Sequence, residues 1–252
     1  MRKTLFLFWH GLGDNVLATP CIKRYKETTG DYVGWMMLEK FKSSEFFKYN
    51  PYIDELHWCS DAWHVAGHDK IQEGTIIVKA EAEKIKEEYG YDRVVVIDHA
   101  SNRKTHKIHR TAHEMGIEMG GDLRTYFYNC PEEDLQKYYD EIEIPDSFVF
   151  FNGRTALPAK DLSLDRVKKW MEIKGIGLPI VSPDFTWDTS QVPIHFAADV
   201  MRKAHYVALA DSALYHVAHA LDLNIDLAYF QRGKKVWDIV HPLHSTKENV
   251  IF

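Results

Sequence analysis

The 252-residue sequence has no apolar run of the roughly 18 residues that a membrane helix needs, which excludes a helical membrane span. It has little cysteine. Cys21, Cys59 and Cys130 are widely spaced, odd in number and form no C-x-x-C pair. That excludes a disulfide framework or a zinc site of ordinary spacing and fits a reducing compartment. It has no excess of positive charge: 31 Lys and Arg against 37 Asp and Glu give a net charge of -6, so nothing draws it generally to nucleic acid. The opening apolar run, Thr4 to Trp9, is too short for the core of a signal peptide, and no small-residue cleavage site follows. A cytoplasmic protein is expected, with peripheral membrane contact at most. Internal repeats are not evident.

What is present is enough apolar content, 45%, to build a sizeable core in two small domains or one large one. Thr4 to Trp9 reads as a buried strand. It runs into Gly11-Leu12-Gly13-Asp14 and then into a helix from Asn15 to about Thr29. Pro20 lies inside that helix and predicts either a kink or a second helix capped by Thr19. Further strands are expected over Tyr32 to Leu38, Ile53 to Trp58, Thr75 to Val78 and Asp92 to Asp98. The last, D-R-V-V-V-I-D, has the β-branched run of a parallel strand buried on both faces. Helices are expected over Glu39–Tyr49, Ala80–Tyr89 and about Arg103–Met119. In the last of these, at about 100° per residue, Ile108, Ala112, Met115 and Met119 share one stripe. Arg103, Lys107 and Arg110 share a second, and His106, His109 and His113 a third. The basic stripe suits a solvated face or, because it follows a strand end, a binding face.

Tyr126 to Asn129 reads as a short strand and Pro131 to Ile142 as a charged helix. A linker is expected at Ile144-Pro145-Asp146, after which strands and helices alternate again from Phe148 to Phe230. Strands alternating with helices argue for parallel sheets. The expected fold class is α/β: two Rossmann-like lobes, residues 1–145 and 146–252, facing across a cleft. The end of the chain, Val236 to Phe252, is expected to cross back to the first lobe.

Two stretches carry candidate chemistry. Gly11 to Asp14 delivers a carboxylate to a helix start at the carboxyl end of a strand, where open α/β sheets place their sites. Asp14 equally suits a plain N-cap. Asp211-Ser212-Ala213-Leu214-Tyr215-His216 also opens a helix at a strand end, where backbone N–H groups favour an anion such as phosphate. Here too Asp211 or Ser212 suits a simple cap, with His216 on the surface.

These stretches and others resemble glycosyltransferase family 9, the lipopolysaccharide heptosyltransferases of GT-B fold. The matching pieces, in order, begin with G-x-G-D at Gly11–Asp14 and T-P at Thr19-Pro20. They continue with N-P-x-I-D-E at Asn50–Glu55 and Y-D plus an apolar strand from Tyr91. The last is D-S-x-x-x-H-x-A-x-A-L from Asp211 to Leu221. Departures fall in the second half. Ala213 replaces a motif glycine, Asn152-Gly153-Arg154 replaces H-P-G, and Lys160-Asp161-Leu162-Ser163 replaces K-x-W-P.

The resemblance implies an inverting transfer of a sugar, heptose-like, from a nucleotide-diphosphate sugar to an acceptor hydroxyl, in lipopolysaccharide or another surface glycan. Asp14 is implied as general base. Gly13, Asn152, Arg154, Lys160, Asp211, Ser212 and His216 are implied to bind the donor. Arg103, Lys107 and Arg110 are implied to meet an anionic glycan or glycolipid acceptor. No metal or other cofactor is implied, and no D-x-D pair stands at a strand end as a metal ligand. Two alternatives stay open. One is a transferase of the same fold acting on another acceptor, such as a modified nucleic-acid base. The other is a non-catalytic nucleotide-sugar-binding protein.

Overall fold

The structure, a computed structural model, describes residues 1–61, 71–99, 105–155, 160–185, 192–230, 238 and 248–251; of 71–77 and 248–251 it describes the backbone. The chain divides into two compact units, Met1–Lys42 with Phe47–Thr125, and Ser43–Phe46 with Tyr126–Phe252. No helix among the described residues is long and apolar enough to cross a membrane.

The first unit is a parallel sheet in the order β3-β2-β1-β4. Its strands are β1 (Lys3–Leu7), β2 (Tyr32–Leu38), β3 (Glu55–Cys59) and β4 (Arg93–Val96). Its helices are α1 (Leu12–Thr29), α2 (Ile71–Tyr89) and α3 (Lys107–Met115). The run T-L-F-L-F-W is apolar throughout because both faces of β1 are covered. Leu5 and Leu7 pack with Val78 and Ile85 of α2, while Phe6 meets the edge of Tyr25 on α1 at 4.8 Å. The β-branched strand β4 lies at the edge of this sheet, and Val94 and Val96 are only partly buried.

Helix α1 runs unbroken through Pro20. A proline offers no N–H to the carbonyl four residues back, here that of Val16. The Thr19 hydroxyl donates to that same Val16 oxygen at 2.7 Å, so the bond Pro20 cannot make is supplied by its neighbour. A second helix start at Thr19 is not formed.

Four motif residues outside Gly11–Asp14, namely Asp54, Glu55, Tyr91 and Asp92, hold the sheet together. Asp54 accepts from the Val33 N–H and from Lys26 of α1. Asp92 accepts from the Lys3 N–H at 2.7 Å. The Tyr91 hydroxyl joins Glu55 at 3.1 Å and His57 at 2.9 Å. Tyr91 fits only because residue 34 is glycine: a Cβ there would lie 2.2 Å from its hydroxyl. Asp31, buried, accepts from Tyr25 at 2.7 Å and Thr4 at 3.2 Å and pairs with Arg2.

Several expected elements differ. Thr75 to Val78 belongs to α2, because helix propensity summed over a long segment outweighs a short β-branched run. Glu39–Ser44 is a 3-10 turn, and 126–129 is irregular. Helix α3 is shorter than expected. His106 caps its start by accepting from the Ile108 N–H, and Gly116 ends it at φ +73°. Met119 therefore lies outside it, and Arg103 falls outside the described residues.

The second unit is a parallel sheet in the order β6-β5-β7-β8-β9. It contains β5 (Val149–Asn152), β6 (Ile180–Val181), β7 (Tyr206–Ala210), β8 (Ile225–Tyr229) and β9 (Glu248–Ile251). Its helices are α4 (Glu132–Glu141), α5 (Leu164–Lys174), α6 (Ile194–Lys203) and α7 (Ala213–Ala220). The Ser163 hydroxyl caps α5, as expected. The passage between units lies at Thr125–Tyr126, ahead of the linker expected near 145, because α4 packs on α6. Tyr138 and Tyr139 both contact the Phe196 ring, and the Tyr139 hydroxyl donates to Asp199 at 2.6 Å. Of Val236 to Phe252, expected to cross back to the first lobe, Glu248–Ile251 pairs instead with β8, and the rest except Asp238 lies outside the described residues.

The contacts at Gly34 and Asp31 can each be tested by one substitution. Gly34→Ala forces Tyr91 aside and should cost about 1–3 kcal/mol, the usual range for an overpacked core, read as a lowered Tm. Asp31 is held ionised against its burial by the Tyr25, Arg2 and Thr4 bonds, which lower its pKa. A lowered carboxyl pKa stabilises the fold above the unfolded value and is lost as pH falls through the folded one. Asp31→Asn should therefore lower Tm at pH 7, and the difference from wild type should shrink steadily as the scans move to acid.

Candidate active site

In the first sheet the chain steps outward from β1 to β2 to β3 and returns to β4 on the other side of β1. The carboxyl ends of β1 and β4 thus flank the point where the winding reverses, the place where such sheets bind ligands. Both loops leaving that point carry polar side chains. After β1 come His10, Asp14 and Asn15; after β4 come Asp98, His99 and, opening α3, Lys107.

Asp14 is not a cap. Gly11 is the N-cap of α1, at φ -59°, and Asp14 sits in the first turn. The glycines are not used for positive φ: Gly11 is in an ordinary conformation and Gly13 is helical, immediately before Asp14. The Asp14 carboxylate is ion-paired with Lys107, and both side chains keep about a fifth of their surface exposed, 18% and 22%. Burial opposes the Asp14 charge, but Lys107, then His10 and His99, hold the carboxyl far below the usual range. The dipole at the start of α1 favours the same charge.

The histidines form a stacked column. The His10 ring lies 4.6 Å from that of His99 at 9° and 4.7 Å from the indole of Trp9. Burial drives the His10 pKa down to about 4 and that of His99 well below its ordinary value, so both are neutral at pH 7. His10 Nε2 is buried with no hydrogen-bond partner among the described residues. His99 holds a left-handed backbone, φ +51°, fixed on three sides. Its ring meets the Thr111 hydroxyl at 2.8 Å, its N–H donates to Glu114, and its carbonyl accepts from Arg110. Arg110, expected on an acceptor-facing stripe, is instead buried against the His99 backbone. Asn15 pins the loop by donating to the Gly11 carbonyl at 3.0 Å and accepting from the Trp35 indole at 2.9 Å.

In the second unit the strand ends are tied by Asp184. Its carboxylate accepts from the Gly153 N–H at 2.7 Å, the Arg154 N–H at 3.1 Å and the Asn152 amide at 3.0 Å. The Ser212 hydroxyl donates to Asn152 at 2.7 Å and makes no cap bond to α7. Lys160 pairs with Asp211 at 3.0 Å. Gly153 is required here, since a Cβ would lie 2.3 Å from the Leu162 carbonyl oxygen. Asn152, Arg154, Lys160, Asp211 and Ser212 thus gather around the ends of β5 and β7. His216 does not lie on an exposed face. It is buried in α7, as is His219.

Sequence reasoning missed His10, His99, Asn15 and Asp184. Only Asp184 had a usable signal, a Ser-Pro-Asp turn just after a strand; its N–H donates to the Ser182 hydroxyl. Among the described residues no cluster of three or more His, Cys, Asp or Glu is placed to hold a metal, and the stripe of His106, His109 and His113 forms none.

The sequence matches no family model and no curated protein. Solved structures do match. The glycosyl transferase family 9 protein from Veillonella parvula DSM 2008 aligns over 99% of this chain and 85% of its own, at 16% identity and TM-score 0.65. The E. coli ADP-heptose lipopolysaccharide heptosyltransferase II aligns over 99% and 90%, at 13% identity and TM-score 0.66. E. coli heptosyltransferase WaaC, solved with ADP-2-deoxy-2-fluoro heptose, aligns over 99% and 92%, at 14% identity and TM-score 0.58. What this chain shares with them is the fold, two parallel α/β units of the GT-B class, as its motifs led one to expect.

Proposed function

We propose that the protein is an inverting glycosyltransferase that moves a heptose-like sugar from a nucleotide-diphosphate donor to a hydroxyl of an anionic glycan or glycolipid, in the cytoplasm. The observation that carries this reading is Asp14: an ionised carboxylate at the switch point of the first sheet, free of any capping duty. Asp14 takes the proton of the acceptor hydroxyl, and the oxygen forms a bond to the anomeric carbon. The bond to the diphosphate breaks on the opposite face, and the nucleotide leaves with the electron pair. One carboxylate suffices, because the leaving group is already stable as an anion; hydrolytic glycosidases need two.

The donor half of the chemistry falls to the second unit. Lys160 offers a cation and α7 an N-terminus to the developing diphosphate charge. Asn152, Arg154 and Ser212 line the same strand ends, and Asp211 orients Lys160. Lys107 offers the acceptor a cation, and no metal is assigned a part. Because WaaC was solved with ADP-2-deoxy-2-fluoro heptose, an adenosine diphosphate sugar is the first donor to try.

A thermal-shift panel of nucleotides and nucleotide sugars tests the donor class, since a bound ligand raises Tm by mass action. Lys160→Ala should weaken nucleotide diphosphate binding by roughly 1.5–3 kcal/mol, the worth of a charge-assisted hydrogen bond, measured by calorimetry. Unchanged affinity would remove Lys160 from the site. Asp14→Asn keeps size and an acceptor for Lys107 but loses the base. Transfer should fall roughly 100- to 10,000-fold, with Tm and nucleotide affinity near wild type. Full transfer in that variant would sink the mechanism.

A further inference from the structure

A base locked in an ion pair is a poor base. Lowering a carboxylate's pKa lowers its pull on a proton, and general-base efficiency falls with it. Asp14 faces titratable or charged groups from three directions. His10 lies in its own loop, His99 follows β4, and Lys107 opens α3; behind them Asp98, paired with Lys79, acts on His10, and Arg110 acts on His99. His10 and His99 are neutral through the physiological range. Among the described residues Lys107 is therefore the cation in contact with Asp14, and releasing it is the step that would restore the carboxylate's basicity.

Resting on the reading of Asp14 as base, we propose that Lys107 is a substrate-operated catch, holding Asp14 inert until an anionic group on the bound acceptor takes over its ammonium and leaves the carboxylate free to accept the hydroxyl proton. Two features of the site fit this exchange. Lys107 and Asp14 each retain partial exposure, so an entering anion reaches the ammonium without unfolding the helix start. His10 Nε2, buried and without a partner among the described residues, is held rigid between Trp9 and His99. A buried ring nitrogen left unpaired is costly unless a ligand meets it. It supplies a neutral hydrogen bond to an acceptor oxygen without competing for the anion. The catch also couples specificity to chemistry: an uncharged alcohol, or water, leaves Lys107 on Asp14 and meets a weak base, which protects the donor from hydrolysis.

The exchange is measurable without knowing the acceptor, using inorganic sulfate as the probe. In the full chain labelled with 13C at aspartate carboxyls, the Asp14 signal is identified by its loss in Asp14→Asn and followed through an acid titration. Sodium chloride at matched ionic strength controls for screening. Sulfate should move the Asp14 midpoint up by roughly 1–3 pH units, the size of the effect of a neighbouring opposite charge. Lys107→Met should raise the midpoint without sulfate, and added sulfate should then do nothing more. Sulfate that binds at Lys107 but leaves the Asp14 midpoint in place would overturn the proposal. So would the absence of any sulfate binding at Lys107, or a Lys107→Met protein in which Asp14 still titrates as in wild type. The wild-type arm keeps the test decisive if that variant folds poorly. Because these readouts are titrations, their failure is distinct from full transfer in Asp14→Asn, which would strike the base reading itself.

Discussion

The pair between Asp14 and Lys107 joins the starts of two helices that leave the two strands at the switch point, and much of the first unit is arranged to hold it there. Strand β1 must be buried on both faces to sit between β2 and β4, hence its unbroken apolar run. That burial carries the following loop inward, where Trp9, His10 and His99 stack. Partial burial raises the worth of each charge, so Lys107 offsets part of the cost of burying the carboxylate. The aromatic column and the ion pair are two halves of one arrangement.

The second unit reaches a comparable end by a different device. The loop after β5 presents the backbone N–H groups of Gly153 and Arg154, and the Asp184 carboxylate accepts from both. Its bond to Asn152, and that of Asn152 to Ser212, fix the start of α7 relative to β5. The replacement of H-P-G by Asn152-Gly153-Arg154 is therefore a substitution of one ordered connection for another. Gly153 is its constrained point, because the Leu162 backbone passes directly over it.

The motif residues divide by position in the sheet. Asp54, Glu55, Tyr91 and Asp92 serve the strand starts, bonding backbone N–H groups and one another. Asp14 and Asp211 stand at the strand ends and are ion-paired with lysines from elsewhere in the chain. The same acidic residue type in similar motifs is structural at one edge and, on the function proposed above, chemical at the other. Thr19-Pro20 belongs to the first kind: its threonine completes the helix that its proline would otherwise interrupt.

By itself the sequence determined the alternation of strands and helices, the restart after about residue 146, and the delivery of Asp14 and Ser212 to helix starts. These rest on local periodicity and on glycine, proline and capping chemistry, which act over a few residues and are readable in order. It misassigned Thr75 to Val78, where a β-branched run mimics a strand, and overextended α3, whose start is set by the ring of His106. Only the tertiary structure decided that Lys107 reaches Asp14 and that Arg110 turns inward to His99. It likewise decided that His216 is buried and that Asp184 closes the β5 loop. Each of those outcomes depends on which strand lies beside β1 or β5. The partners are far apart in the chain, and the sequence carries no local mark of strand order.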